Sequence, residues 1–278
     1  MKMREVEERG EVQKLLEIEV DRNTNGSTQA YALGTDDMEL NERVLPIPSS
    51  GLRSDTNKAK TMIELGGNEE KSLTDNMIEN IKYGGGGGTT VYKLNVTHDQ
   101  LSAHNVWIET GPPEHISMIV VGWMVHREIT PGYPAEPTST YGGAQYELLI
   151  HIEQDRNIGN WWLIVSDHKV GYWPKELFPY LRNGSLHIAW GGIGIAGSNG
   201  FCPPMGSGHM PDGVYEHATV FRALHWVRSD GKFLPPSDKT TEWVDRSNVY
   251  GLMNHHHFGK YRSGYMISIG GPGGYCRV

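Results

Sequence analysis

Two short patterns in this chain have residue types and spacing that could support chemistry. Gly192 to Gly197 follows the Gly-x-Gly-x-x-Gly pattern of dinucleotide-binding loops, and His255 to His257 form a run of imidazoles that could ligate a metal. The first pattern needs a helix that starts at its glycines, which Pro203 and Pro204 exclude. The second lacks the accompanying Cys or Asp ligands of a structural site. We therefore predict a glycine-rich strand end, a solvated histidine loop, and neither a cofactor nor a metal.

A third pattern concerns modification of the chain. Asn-x-Ser/Thr sequences, which accept N-linked glycans in secreted proteins, occur at Asn25, Asn95 and Asn183. Asn95 and Asn183 stand beside predicted turns or strand ends, so we expect both to be exposed. The sequence thus predicts three glycosylation positions that matter only if the chain is secreted.

The elements that could position a site lie in the C-terminal two-thirds of the 278 residues. All eight Trp lie at or after Trp107, and all five Phe lie at or after Phe178. Residues 1–80 hold ten Lys plus Arg against seventeen Asp plus Glu, which is a charge of −7 out of the total of −8. We predict a polar, acidic, weakly ordered region over residues 1–81 and a folded domain over residues 82–278.

The same features exclude several classes of partner. The near-neutral domain has no basic cluster for a phosphate backbone, so we predict no binding to nucleic acid. Apolar runs such as Ile116 to Trp123 are far too short to span a bilayer, and we predict no membrane segment. The charged N-terminus, as written, does not resemble a signal peptide.

From Tyr83 onward the chain has the pattern of an all-β domain, with short runs of β-branched and aromatic residues separated by Gly, Pro and Asn. We predict an antiparallel two-sheet β-sandwich, one helical turn between Pro174 and Gly184, and a flexible linker at Gly84 to Gly88. The predicted strands read TVYKLNV, HNVWIET, HISMIVVGWMV, QYELLIHIE, WWLIVSD, KVGYWP, LHIAWGGI, HATVFRALHWVRS and SGYMISIGG.

Several motifs of this domain follow one another in the order of a known family. They are YGGAQYELLIHIEQDRNIGNWWL (Tyr141 to Leu163), GYWPKELF (Gly171 to Phe178), the WGG and PPMGSGH sequences before His209, and the terminal GGPGG (Gly270 to Gly274). The chain resembles the plant neprosin domain, a secreted prolyl endopeptidase of the glutamic class, over roughly residues 82–278. The resemblance implies an antiparallel β-sandwich and an extracellular location, and the fold agrees with the residue pattern.

The residues that would carry the chemistry of that family are absent. In the family the first catalytic glutamate lies in an Ile-Glu-x-Gly-Trp strand and the second directly follows Trp-Gly-Gly, and here those positions are Val120 and Ile193. A glutamic peptidase needs one ionised carboxyl to activate water and one protonated carboxyl to donate. No Asp or Glu lies between Glu176 and Asp212, so no nearby carboxyl can replace the second glutamate. We therefore assign no catalytic residue. The residues that we predict to line the family's cleft are Trp123, Trp190, Gly191, Gly192 and His209.

A second departure lies between Trp123 and Tyr141, where the resemblance implies further strands and a pair of cysteines that this chain lacks. Missing strands would leave unpaired sheet edges. The family's Asn-Cys-Tyr is replaced around Val249, which leaves Cys276 either unpaired or joined to Cys202.

The sequence thus predicts a neprosin-domain protein of prolyl endopeptidase lineage that is catalytically inactive, either a pseudopeptidase or a truncated gene product. The partner that the resemblance implies is a proline-rich peptide or a cell-wall glycoprotein. The alternative is an active secreted glutamic-type peptidase that cleaves after proline.

Overall fold

The computed structural model describes residues 19–22, 28–33, 58–65, 81–112, 115–126, 137–237, 240–257 and 264–276. The strands, numbered in chain order, are β1 (Glu19–Arg22), β2 (Thr28–Leu33), β3 (Lys58–Leu65), β4 (Gly84–Thr90), β5 (Leu101–Thr110), β6 (Ser117–His126), β7 (Glu147–Gln154), β8 (Trp161–Val165), β9 (His168–Trp173), β10 (His187–Ile195), β11 (Phe201–Cys202), β12 (Thr219–Val227), β13 (Phe233–Leu234), β14 (Thr241–Val244), β15 (Gly251–His257), β16 (Tyr265–Gly270) and β17 (Gly274–Tyr275).

These strands form two large sheets and one small ladder. The first sheet has the order β1-β2-β6-β5-β10-β3-β14, and the second has the order β15-β16-β12-β4-β7-β8-β9, with β13 added beside β12. A short ladder joins β11 to β17. Every described pair is antiparallel except β2 with β6. The predicted all-β, antiparallel class is confirmed.

Most of the predicted strands are found, because alternation of apolar residues identified them. On β6, Ile119 and Val121 join the main core, whereas Met118 and Val120 belong to a separate cluster on the opposite face. Every predicted strand overlaps an observed one, although the first, TVYKLNV, shares only its initial residue, Thr90, with β4. The Gly-x-Gly-x-x-Gly segment lies largely in β10 rather than at a helix start.

Helical structure within the described residues is limited to two short 3-10 turns. Lys175–Leu177 lies inside the predicted turn, and Tyr215–His217 was not predicted. Phe178 and Leu181, which follow the first turn, are fully buried in the core. No described helix has the length and apolar character needed to cross a bilayer.

The main core lies between the two large sheets and contains buried aromatic residues from both. Trp161 and Trp173 come from the second sheet, and Trp190 comes from the first; all three side chains have 0% exposure. The indole Nε1 of Trp190 donates to the carbonyl oxygen of Gly86 at 3.1 Å, which links the sheets directly. Trp161 Nε1 likewise donates to the carbonyl oxygen of Leu181 at 3.0 Å.

The prediction of a flexible linker at Gly84 to Gly88 is wrong, because these residues form β4, a buried strand between β12 and β7. Neighbouring atoms leave no room for side chains at these positions. A Cβ on Gly85 would lie 2.0 Å from Ile188 Cδ1, and a Cβ on Gly86 would lie 2.1 Å from the carbonyl oxygen of Ile150. Glycine is unfavourable in a strand by propensity, but packing overrides that preference here.

Three strands come from the region that we predicted to be weakly ordered. β2 pairs with β6, β3 pairs with β10, and β1 pairs with β2. The short Trp123 to Tyr141 connection was expected to leave an unpaired edge, but β2 occupies the free side of β6. Most other residues before 81 lie outside the described ones, so the domain boundary at residues 81 and 82 stays a prediction.

Cys202 and Cys276 form a disulfide, which resolves the two alternatives that the sequence left open. The bond joins the ends of β11 and β17, whose register pairs Cys202 with Gly274. It closes a segment with a sequence separation of 74 residues. A crosslink across a loop of this length restricts the unfolded chain strongly.

We expect Gly86→Ala to destabilise the fold by about 1–3 kcal/mol, because a methyl group at this position must displace the backbone of β7. Gly143→Ala is the matched control, since its Cβ would meet Thr140 at an ordinary 3.4 Å. Urea denaturation of both variants measures the difference. Equal stability of the two variants would contradict the packing described for β4.

Replacing both cysteines, in Cys202→Ala with Cys276→Ala, should lower the free energy of unfolding by about 2–5 kcal/mol. Dithiothreitol should lower the melting temperature of the unmodified protein and leave that of the double variant unchanged. Insensitivity of the unmodified protein to reductant would show that the bond does not stabilise the fold.

Candidate functional site

The two positions at which the resemblance expects glutamates lie on one face of the first sheet, on strands separated by β5. Val120 on β6 pairs in register with Trp107 on β5, and Ile193 on β10 pairs with Ala103. Trp107 and Ala103 are four residues apart, and residues an even number apart on a strand share a face. The fold therefore brings Val120 and Ile193 to the side of the sheet that faces away from the main core, which we call the outer face.

This outer face carries its own apolar cluster. Its members are Trp107, Met118, Val120 and Ala189, with Ile116 and Ile193 packed against them. Val120 is only 4% exposed. Neither Val120 nor Ile193 can hold or transfer a proton, and their surroundings would disfavour an ionised group.

Glu109 is the one carboxyl-bearing residue at the outward positions of β5, β6 and β10. Its register partners are Met118 and His187, and it lies two residues from Trp107 on the same face. Glu109 is not recognisable from the sequence, because a pattern of alternation does not tell which face of a strand is turned outward. A single carboxyl cannot supply both an ionised base and a protonated acid at once.

A row without large side chains crosses the middle of the outer face. Asn105 on β5 pairs with Gly122 on β6 and with Gly191 on β10. A Cβ on Gly122 would lie 2.3 Å from Asn105 Oδ1, so the amide oxygen occupies the space above this glycine. Asn105 is 4% exposed, and its Oδ1 has no hydrogen-bond partner in the described part of the chain. Since its register position falls midway between Trp107 and Ala103, Asn105 lies between the two expected glutamate positions.

The residues predicted to line the cleft lie in different places. Gly191 is on the outer face, whereas Trp190 and Gly192 point into the sandwich, where Trp190 is completely buried. A Cβ on Gly192 would lie 2.5 Å from Met205 Sδ, so this glycine permits core packing. Trp123 is half-buried on the inward side of β6 and donates from Nε1 to the carbonyl oxygen of Tyr92 at 3.3 Å.

His209, the fifth of these residues, lies in an exposed aromatic group at the loops before β12. Its ring stacks on Tyr141 with a centroid distance of 3.9 Å, and Tyr141 also stacks on His217 at 4.5 Å. His217 Nδ1 lies 2.7 Å from Asp212 Oδ2, and this hydrogen bond holds the pKa of the Asp212 carboxyl below its usual value. We call these four residues the Tyr141 group. In the sequence, Tyr141 stands out only as part of a family motif, and no pattern points to His217 or Asp212.

On the second sheet, the side that faces away from the main core carries a series of hydrogen-bonded polar side chains. No sequence pattern predicted this series. His151 on β7 and His225 on β12 both pair in register with Gly86, and their side chains meet above it, with Nδ1 of His151 3.0 Å from Nε2 of His225. His151 Nε2 contacts Glu153 Oε2 at 3.1 Å, and Phe233 stacks on His225 at 4.6 Å. A side chain at residue 86 would separate the two imidazoles.

The predicted modification and metal positions can be placed only in part. Asn95 and Asn183 are both exposed, and Asn25 lies outside the described residues. Ser185, which completes the second sequence, is buried and donates from Oγ to the carbonyl oxygen of Glu109 at 2.8 Å. Among residues 81–112, 115–126, 137–237, 240–257 and 264–276, no group of three His, Cys, Asp or Glu is arranged to hold a metal ion.

Burial lowers the pKa of two histidines, one inside the sandwich and one half-buried on the outer side of the second sheet. His104, on the inward side of β5 and edge-on to Phe221, is 4% exposed, and burial lowers its pKa to about 3. Burial lowers the pKa of His225 to about 4, with a smaller opposing effect from the carbonyl oxygen of Ala223. Both rings are therefore neutral in the folded protein at neutral pH.

A comparison with protein-family models agrees with the motifs. The model described as Neprosin matches residues 125–272, which is more than half of the 278 residues. The matched range includes Ile193 and the terminal glycine motif up to Pro272. Val120 lies five residues before the matched range, so its correspondence rests on the Ile-x-x-Gly-Trp sequence that surrounds it.

We expect the free energy of unfolding to fall as pH drops from about 6.5 toward 3, because the unfolded chain takes up protons that buried His104 and His225 resist. His104→Leu should reduce this loss by about 2 kcal/mol at a pH near 4.5. Urea denaturation of both proteins at pH 7 and near 4.5 measures the difference. An identical pH dependence for the variant would contradict a neutral, buried His104.

Proposed function

The chain belongs to the Neprosin family, and from that premise we propose that it is a catalytically inactive member of a peptidase-like lineage that binds proline-containing peptides. The observation that carries the proposal is the composition of the outer face of the first sheet. The two positions expected to hold the family's glutamates are Val120 and Ile193, and both pack in one apolar cluster.

The chemical reason follows from the reaction. Hydrolysis of a peptide bond by two carboxyl groups requires that one group removes a proton from water while the other donates to the carbonyl or the departing amine. Each such group typically contributes about a hundred-fold to ten-thousand-fold in rate. Val120 and Ile193 can carry out neither step. This face of the first sheet therefore cannot make the proton transfers that the reaction requires.

Peptide binding is supported by the exposed aromatic residues of the Tyr141 group. Tyr141 is 44% exposed, and its ring contacts the imidazoles of His209 and His217 at centroid distances of 3.9 and 4.5 Å. Flat aromatic surfaces are what proline-rich segments dock against, because the pyrrolidine ring is rigid and apolar and needs little ordering on binding. A cell-wall glycoprotein rich in proline would present the same chemistry.

An extracellular location is part of the same proposal. The Cys202–Cys276 disulfide supports it, because disulfides persist in oxidising compartments. The exposed asparagines Asn95 and Asn183 are compatible with glycan attachment in the secretory pathway. Both features favour secretion over residence in the cytosol.

The second candidate function is an active peptidase that uses a different carboxyl. Glu109 favours it, because this residue lies on the outer face two positions from Trp107, beside His187. A Glu and a His could in principle share the two proton-transfer roles. This candidate requires that Glu109→Gln abolishes cleavage by the unmodified protein.

We expect the purified protein to bind a fluorescein-labelled peptide of alternating alanine and proline and to leave it uncut from about pH 2 to about pH 8. Fluorescence anisotropy measures binding, and mass spectrometry of the incubated peptide measures cleavage. Tyr141→Ala should weaken binding, whereas Tyr146→Ala, a similarly exposed tyrosine with 40% exposure, is the matched control. Cleavage that disappears in Glu109→Gln would establish the second candidate, and absence of binding would overturn the first.

Restoring the two carboxyls in Val120→Glu with Ile193→Glu should not create a peptidase. Val120 is 4% exposed, so a glutamate there must be buried in an apolar cluster, and we expect loss of stability by about 2 kcal/mol or more. Thermal unfolding and the same cleavage assay test this double variant. A stable, active double variant would show that only the two carboxyls separate this chain from an enzyme.

A further inference from the structure

A band of aromatic and polar side chains crosses the second sheet on the side that faces away from the main core. Trp162 on β8 pairs in register with Glu153 on β7 and with Tyr172 on β9, so the three side chains lie on one face. His151 lies two residues before Glu153 on the same strand and belongs to the histidine pair described above. We call this set the second-sheet band, and its members are Phe233, His225, His151, Glu153, Trp162 and Tyr172.

Solvent reaches this band at both ends and in the middle. Phe233 is 55% exposed, and the side chain of Glu153 is 36% exposed. Trp162 and Tyr172 are half-buried, and their ring centroids are 5.0 Å apart. The exposed Lys169 places its Nζ 4.8 Å from the centroid of the Trp162 ring. Because an ammonium group stays in contact with water, the face of the Trp162 indole lies at the surface, whereas its Nε1 is buried.

The length of the band indicates the size of ligand that it could hold. It extends over five neighbouring strands, from β12 through β4, β7 and β8 to β9. Since adjacent strands are about 4.8 Å apart, the band is about 19 Å long. Gly86 contributes no side chain that would interrupt it between the two histidines. These dimensions fit a chain of linked rings better than a single small molecule.

The polar groups beside the rings select the chemistry of a ligand. The hydrogen bond with His151 lowers the pKa of the Glu153 carboxyl, which is therefore ionised and only accepts hydrogen bonds. Its Oε2 contacts His151, whereas Oε1 accepts no hydrogen bond from the residues that the structure describes. The ammonium group of Lys169 only donates. A ligand here must offer both donors and acceptors beside an apolar surface, and the opposite charges of Glu153 and Lys169 favour a neutral one.

We propose that the second-sheet band binds an extended, neutral polysaccharide chain of β-linked pyranose rings. Such a ring has a face of C–H groups that packs on an aromatic ring and a rim of hydroxyls that both donate and accept hydrogen bonds. Trp162, Tyr172 and Phe233 contact the ring faces, whereas Glu153 and Lys169 bond to the hydroxyls. A proline-rich segment fits this band less well, because proline has no N–H to donate to Glu153.

Isothermal titration calorimetry of the full-length protein with cellohexaose, xylohexaose and mannohexaose tests the proposal, since all three are linear, neutral and β-linked. We expect Trp162→Ala to weaken binding by about fivefold to tenfold, the effect of losing one stacking surface. Trp162→Phe, which keeps an aromatic face, should retain most of the affinity. Trp243→Ala is the matched control and should bind normally, because Trp243 is 56% exposed but lies on the first sheet.

A second variant keeps the test decisive if Trp162→Ala does not fold. Phe233 is 55% exposed at the opposite end of the band, so its removal leaves the main core intact. Phe233→Ala should also weaken binding by about fivefold to tenfold, for the same reason. Thermal unfolding of each variant confirms that the loss of binding is not a loss of fold.

The outcomes are independent of the proposed function, because the Tyr141 group shares no residue with the second-sheet band. If the unmodified protein binds none of the three oligosaccharides, the inference is overturned, whatever the result with the alanine–proline peptide. Undiminished binding by folded Trp162→Ala and Phe233→Ala, or an equal loss in Trp243→Ala, would place the sugar elsewhere and would also overturn it. Binding only to a branched N-glycan released from a glycoprotein would show that the ligand is not a polysaccharide chain.

Discussion

The close approach of the two sheets at β4 is the constraint on which the rest of the structure depends. Gly84 to Gly88 have no side chains, and residues of both sheets occupy the space that such side chains would fill. Ile188 of the first sheet lies where a side chain of Gly85 would be, and Leu224 of the second sheet lies where a side chain of Gly87 would be. The Trp190 indole donates to the Gly86 carbonyl oxygen and fixes the sheets relative to each other. A larger residue at Gly85 or Gly87 would have to displace Ile188 or Leu224.

The same glycines also determine what lies on the outside of the second sheet. His151 and His225 meet above Gly86, and Arg222 reaches the carboxylate of Glu147 from the strand on the other side of β4. Side chains on strands separated by a third strand do not normally meet, since adjacent strands are about 4.8 Å apart. The glycine strand therefore permits polar contacts between β7 and β12 within the second sheet, and burial keeps His225 neutral there.

The first sheet gathers the two positions at which the resemblance expects glutamates into one apolar cluster. Strand order places β5 between β6 and β10, and this order alone brings Val120 and Ile193 to one face. Apolar residues at both positions are compatible with the neighbouring Trp107 and Ala189, whereas two carboxyl groups there would have to be desolvated. The buried neutral His104 on the opposite side of β5 makes the fold less stable in acid.

The sequence by itself determined the fold class, the family and the apolar residues at the two positions where the resemblance expects glutamates, because each depends on local patterns. Alternating apolar residues identify strands such as β6 and β7, and contiguous motifs such as Trp190-Gly191-Gly192 identify the position of Ile193. Contacts between distant segments were decided only by the tertiary structure. Gly84 to Gly88 have a linker's composition, and they form a central strand because neighbours on both sides fill the space that side chains would occupy. Similarly, Asn105 has no unusual sequence context, and its position between two glycines and midway between Val120 and Ile193 follows only from strand register.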